Sequence, residues 1–298
     1  MASATSPRSF TNELLRRAEA LDSPRPAAMR KAFPLYLEAA NAGSSDAQNI
    51  VGESYRDGLG VGRNLKQAAE WFRAAAAGGS RTGALNLGWA YQHGEGVRAN
   101  PRLSAKLYES AADKGELRAM LNLGLLHLEG VGVRRNRRRA LVLFRRAALM
   151  GHQGSQFMLG HCYWWGEGVP VDPSRAVHWF RCAAKRGHAE AAGMLGTALH
   201  DGVGVKRNVR SAFEWYKRGA TKGDSWSKVG LAKCLLSKNR VTRRNRVLAH
   251  RLLKEAAPHE AEARRMLTSF RMTPPRREMP GAASDASRHH IRALRPRS

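Results

Sequence analysis

Glycines recur along this chain every 36 residues, and no other feature restricts the fold so tightly. Gly52, Gly88, Gly124, Gly160 and Gly196 form one series. Gly58, Gly94, Gly130, Gly166 and Gly202 form a second, and each opens a Gly-x-Gly-Val. Ala68, Ala140, Ala176 and Ala212 hold a third phase, with Ser104 in the remaining place. Phe72, Tyr108, Phe144, Phe180 and Tyr216 hold a fourth, and Gly43, Gly79, Gly115, Gly151, Gly187 and Gly223 mark the ends of the repeats. A period of this length belongs to stacked architectures, in which no single repeat can bury its apolar face alone.

Each repeat reads as two helices. In the first full repeat, Ala47, Val51 and Tyr55 share one face of a helix over residues 46–56. Glycine inside a helix costs about 1 kcal/mol relative to alanine, so its recurrence there points to close approach by a neighbouring helix. The Gly-x-Gly then ends the helix through the left-handed conformation. Asn64, Asn100, Asn136, Asp172 and Asn208 are good N-caps for the second helix, and Pro101 and Pro173 follow where a missing N–H costs nothing. Ala68, Phe72 and Ala75 give that helix its apolar stripe, and Gly78-Gly79 stops it.

The register continues beyond the obvious repeats. Leu231-Ala232, Leu235 and Val241 keep the phase, and one inserted residue later Asn245, Ala249, Ala256 and Ala257 continue it in a degenerate sixth repeat. Ala32, Leu35, Tyr36, Ala39, Ala40 and Gly43 form the second half of an N-terminal partial repeat, whose first helix is expected over residues 10–21. The expected organisation is a flexible segment 1–8, a capping partial repeat 9–45, and five repeats over 46–81, 82–117, 118–153, 154–189 and 190–225. A degenerate repeat 226–258, a capping helix 259–272 and a disordered basic tail 273–298 follow.

These residues carry a family resemblance. The pattern Ala-x-x-x-Leu-Gly-x-x-Tyr-x-x-Gly-x-Gly-Val-x-x-Asn/Asp, then Ala-x-x-Trp-Phe-x-x-Ala-Ala-x-x-Gly, resembles the Sel1-like repeat. It stands almost whole in residues 84–100 and 172–187 and extends over roughly residues 31–257. The resemblance implies an all-α fold, a right-handed α/α solenoid of about six repeats related to tetratricopeptide repeats, with capping helices at its ends. It also implies an adaptor or scaffold role. A secreted branch of the family bridges its helices with paired cysteines; most repeats here have none, so that branch does not carry over.

In the related tetratricopeptide fold the first helices line the concave surface. Counting from the repeated glycine, the outward positions are expected at three before it and at one, four and five after it. These positions are polar in the first repeat (Asn49, Glu53, Arg56, Asp57). They become apolar and aromatic in the middle of the chain. The expected partner groove is therefore Leu85, Trp89, His93, Leu121, Leu125, Leu128, Phe157, His161, Trp164 and Trp165, with Trp89, Phe157, Trp164 and Trp165 as anchors; the alternative is inter-repeat core, since an imperfect phase would bury several of them.

Charge adds a second candidate. The 298 residues hold 51 Lys plus Arg against 24 Asp plus Glu, a formal charge of +27. Residues 1–133 carry a net +3 and residues 134–298 a net +24, so an acidic partner should meet the C-terminal half first. Arg134, Arg135, Arg137, Arg138 and Arg139 surround one N-cap. Lys206, Arg207 and Arg210 hold the same phase two repeats on, and Arg243, Arg244 and Arg246 hold it in the degenerate repeat. Equal phase in stacked helices aligns them as an expected basic rim, and cations in a first helical turn oppose the helix dipole.

Other signals point to structure. The glycine-rich turns recur five times as connectors, which outweighs a phosphate-binding reading. No Gly-x-x-x-x-Gly-Lys-Ser/Thr and no His-Glu-x-x-His is present. His161, Cys162 and Cys182 offer too few ligands for a metal, and no nucleophile–base set emerges. His152 and His188 read as ordinary turn residues. The three cysteines suit a reducing compartment, and no apolar run reaches signal-peptide or membrane-spanning length. The expectation is a monomeric, cytoplasmic, non-enzymatic adaptor without cofactor or metal, holding acidic protein segments with apolar anchors. Nucleic-acid or RNA-complex binding through the basic rim and tail is the alternative.

Overall fold

The computed structural model describes residues 7–21, 26–237 and 242–272. Among the described residues all regular structure is helical, in fifteen helices. Residues 1–6 and 273–298, read above as flexible end and basic tail, lie outside the described residues. Pro7 and Arg8 already belong to the first helix.

Two compact units divide the chain at residue 150. The N-terminal unit holds four helix pairs: α1 (Pro7–Leu21) with α2 (Pro26–Asn41), and α3 (Ser45–Asp57) with α4 (Leu65–Ala77). α5 (Arg81–His93) with α6 (Pro101–Asp113), and α7 (Leu117–Glu129) with α8 (Arg137–Leu149), complete it. The C-terminal unit pairs α9 (Gln153–Trp165) with α10 (Pro173–Lys185), α11 (Ala189–Asp201) with α12 (Val209–Thr221), and α13 (Ser225–Leu235) with α14 (Arg243–Ala256). A single helix, α15 (Ala261–Met272), packs on α14. Within each unit every helix packs on the next in sequence, as a solenoid requires.

The repeated residues explain the packing. A Cβ placed on Gly52 would lie 2.6 Å from the Phe72 ring, and one on Gly88 would lie 2.8 Å from the Tyr108 ring. The ring of each second helix thus packs directly on the glycine of its own first helix; Phe144 on Gly124, Phe180 on Gly160 and Tyr216 on Gly196 repeat the contact. Tyr108, Phe144 and Phe180 are fully buried, each contributing roughly 1.5–3 kcal/mol of apolar burial. In the turn, the second glycine of Gly-x-Gly touches the preceding pair: Gly60 meets the backbone of Met29 and Gly204 that of Pro173. All these turn glycines have positive φ, 77° at Gly60 and 69° at Gly204.

Asn64, Asn100, Asn136, Asp172 and Asn208 each cap a second helix, their side-chain oxygens accepting a backbone N–H three residues on. Three sequence expectations need correction. The sixth repeat is capped by Thr242, whose hydroxyl accepts from the Asn245 N–H, so Asn245 lies inside α14 instead of starting it. His152 and His188 are N-caps too: Nδ1 accepts from the Ser155 and Ala191 N–H groups at 3.2 Å and 3.4 Å. A neutral imidazole nitrogen here replaces the serine oxygen that caps α3 and α5 through Ser44 and Ser80.

Candidate functional site

In the N-terminal unit, the first helices α3, α5 and α7 together present a cleft of about 340 Å³. Its walls come from the last turn of α3 (Arg56, Asp57), the outer side of α5 (Asn86, Trp89) and the start of α7 (Arg118, Asn122), with Arg63 and Glu95 from the connecting turns. A network fixes its floor. The Asn86 Nδ2 donates to Oδ1 of Asn49 at 2.8 Å and to Oε1 of Glu53 at 3.0 Å, and Arg56 reaches Asn86 Oδ1 at 3.5 Å. Arg56 also donates twice to Asp57 at 2.8 Å, and those bonds hold the Asp57 carboxyl below its ordinary range.

Trp89 stands over this polar floor. It remains 43% exposed and stacks on His93 with ring centroids 3.8 Å apart. A large aromatic left open beside oriented amides and guanidinium groups offers an apolar anchor next to hydrogen-bonding partners for a peptide backbone.

The sequence-derived groove positions divide. Trp89 and His93 are exposed, and Leu121, Leu125, Trp164 and Trp165 are half-buried. Leu128, Phe157 and His161 are buried, which corrects their expected outward placement; Leu85 is buried too but still lines the cleft beside Asn86 and Trp89. The physical reason is a rotation of the open face. In the N-terminal unit its line runs through the positions six and two before the glycine and one and five after it, as Arg118, Asn122, Trp89 and His93 show. This face is turned by roughly 45°, about half the step between successive helical residues. The rotation carries the positions three before and four after the glycine, those of Leu85, Leu128 and Phe157, toward the interior; His161, one after its glycine, is buried instead beside the Phe157 and Trp165 rings of the C-terminal unit. Asn86, Arg118 and Asn122 were missed for the same reason. The polar pair Asn86 and Asn122, one period apart where Ile50, Met158 and Met194 stand elsewhere, was the signal that marks them.

In the C-terminal unit the aromatic positions form an internal cluster. The Phe157 ring stacks on His188 at 4.6 Å and lies 5.9 Å from Phe180, and Trp164 lies 5.9 Å from Phe180. His161 sits 3.5 Å from the Glu167 carboxylate and 6.3 Å from the Trp165 ring centroid. Burial depresses the His188 pKa below its ordinary 6.5, against the pull of the Glu190 and Asp224 carboxylates. Burial likewise pushes the Cys162 thiol up to about 12, which leaves it an unreactive packing group.

The basic residues are disposed at the starts of second helices. Arg134, Arg135, Arg137, Arg138, Arg139, Lys206, Arg207, Arg210, Arg243 and Arg244 are exposed and Arg246 is half-buried. Some already serve the fold. Arg135 Nε donates to the Leu128 carbonyl at 3.0 Å and Arg207 Nε to the His200 carbonyl at 2.9 Å, as Arg63 does to Arg56 at 3.0 Å. These guanidinium groups cap the carbonyl ends of first helices, where a cation also suits the dipole. Arg139 pairs with Glu109.

Comparison with known proteins agrees with this architecture. The Sel1 repeat family model matches residues 45–80, 82–116, 117–152, 154–188 and 189–224. The structure resembles a Sel1 repeat protein from Oxalobacter formigenes at a TM-score of 0.73 and 28% identity, covering 83% of this chain and 96% of that one. It also resembles a protective antigen of uropathogenic Escherichia coli with an SLR fold, at a TM-score of 0.72 and 28% identity. That match covers 89% of this chain but only 57% of the antigen. No curated protein matches the sequence significantly. Among the described residues no helix is long and apolar enough to cross a membrane.

Proposed function

Because the chain belongs to the Sel1 repeat family, we propose that it is a non-enzymatic scaffold that binds protein segments on the open face of its first helices. Sel1 repeat proteins generally mediate protein–protein interaction. The observation that carries the reading is Trp89, an exposed aromatic over a cleft floored by Asn86 and flanked by Arg118 and Asn122. An apolar side chain of a bound segment would rest on the Trp89 ring, and its backbone would meet the Asn122 amide. The excess of arginine beyond residue 133 would steer acidic segments toward the protein and raise their on-rate more than their final affinity.

Panning the full chain against a random-peptide phage library tests this. Selected peptides should share an apolar anchor and lose at least about tenfold in affinity on Trp89→Ala, with the far-ultraviolet circular dichroism unchanged. Peptides that bind the variant as tightly as the parent would refute the Trp89 cleft as the binding site.

A further inference from the structure

We propose that the outer face of α8 is a second docking surface, one that takes an acidic amphipathic helix of a partner protein. This surface is separate from the first-helix cleft and stands or falls independently of it. Its starting point is three apolar side chains left open to water: Val142 is 64% exposed, Leu149 72% and Met150 57%. Val142 and Leu149 are seven residues apart, two helical turns, so they lie on one line about 10 Å long.

The repeat itself supplies the control. At the position of Val142 the second helices of the other four full repeats carry Glu70, Lys106, His178 and Glu214. At the position of Leu149 they carry Ala77, Asp113, Lys185 and Thr221. The solenoid therefore does not need apolar groups at these places. Packing of α8 is already met by Ala140, Phe144, Ala147 and Ala148 on its other side, all buried. Among the second helices of the five full repeats, only α8 carries this exposed stripe.

Charge identifies the occupant. Arg138 and Arg145 border the stripe on one side and Arg146 on the other, and all three are exposed. Among the described residues no carboxylate pairs with them, whereas the neighbouring Arg139 is taken by Glu109. An apolar line one residue wide with arginines along both edges is the complement of a helix with one apolar line and glutamates along both edges. A membrane surface fits less well, because an interfacial helix needs a broad apolar face and this one is interrupted by arginine at every turn. Nucleic acid would use the arginines and leave Val142, Leu149 and Met150 without purpose.

The test uses the full chain and a synthetic three-heptad helical peptide with leucine along one line and glutamate on both flanks. A peptide of the same composition in scrambled order is the control. Fluorescence anisotropy should show the amphipathic peptide binding at least about tenfold more tightly than the scrambled one. The double variant Val142→Gln/Leu149→Gln should remove that preference, and Trp89→Ala should leave it intact. Both substituted side chains are exposed, so the fold should survive, as circular dichroism would verify. Equal binding of the two peptides would mean generic charge attraction and overturn the proposal. So would an unchanged preference in the double variant. Co-sedimentation with phosphatidylserine vesicles that the double variant abolishes, without peptide preference, would assign the face to a membrane instead.

Discussion

A methyl group added to Gly96 would collide with the carbonyl oxygen of Leu65, and one added to Gly132 would collide with that of Pro101. Backbone cannot yield as a side-chain tip can, and both glycines also sit at positive φ, 72° and 70°. Gly96→Ala therefore combines left-handed strain of about 1–2 kcal/mol with overpacking of about 1–3 kcal/mol. Urea unfolding should show a loss of roughly 2–5 kcal/mol. Gly79, also at positive φ, meets only the end of a lysine side chain; its alanine variant should lose only the strain. His188 gives a different residue-scale prediction. Burial makes the folded chain take up the His188 proton at lower pH than the unfolded chain does. Its contribution is therefore complete above about pH 6.5 and is lost as pH falls below that value. Burial shifts His127 in the same direction. The thermal midpoint should fall on acidification from about pH 7 to about pH 5, and His188→Asn, which keeps a capping oxygen, should flatten part of that slope.

At the scale of the element, α8 starts against its own electrostatics. Arg137, Arg138 and Arg139 occupy its first turn, where the helix dipole disfavours cations, and the Asn136 side chain is the cap that offsets them, accepting from the Arg139 N–H at 2.9 Å. Asn136→Ala should lower stability by about 1 kcal/mol. Asn136→Asp should hold or raise it, since a carboxylate both caps and neutralises the turn; thermal melts of the two variants compare them directly. Helix starts were legible in the sequence because a cap is a local event between residues three apart. The histidine caps were not, since an imidazole serves as a cap only when Nδ1 is unprotonated and turned toward the helix. Thr242 was hidden in the same way: its repeat has lost the loop glycines that mark the phase elsewhere.

At the scale of the whole molecule, a formal charge of +27 on 298 residues opposes compaction. Exposed like charges repel less once salt shortens the screening length, so the melting temperature should rise between about 20 mM and about 300 mM sodium chloride. A flat or falling dependence would show that local ion pairs, such as Lys228 with Glu255 at 3.0 Å and Lys233 with Glu262 at 2.8 Å, outweigh the general repulsion.

Period, helix pairs, caps and terminal glycines all followed from the amino-acid order, because each arises between residues close in the chain and repeats until it is unmistakable. The clustering of positive charge did as well. Tertiary structure decided which side of each first helix faces water. A rotation of half a residue step leaves the 36-residue pattern unchanged, yet in the N-terminal unit it buries Leu128 and opens Arg118 and Asn122. That angle is set by how the large rings of the second helices seat on the glycines and how neighbouring pairs interlock, contacts between residues far apart in sequence. It also decided that Val142 and Leu149, apolar in a helix already supplied with a core, would be left facing solvent.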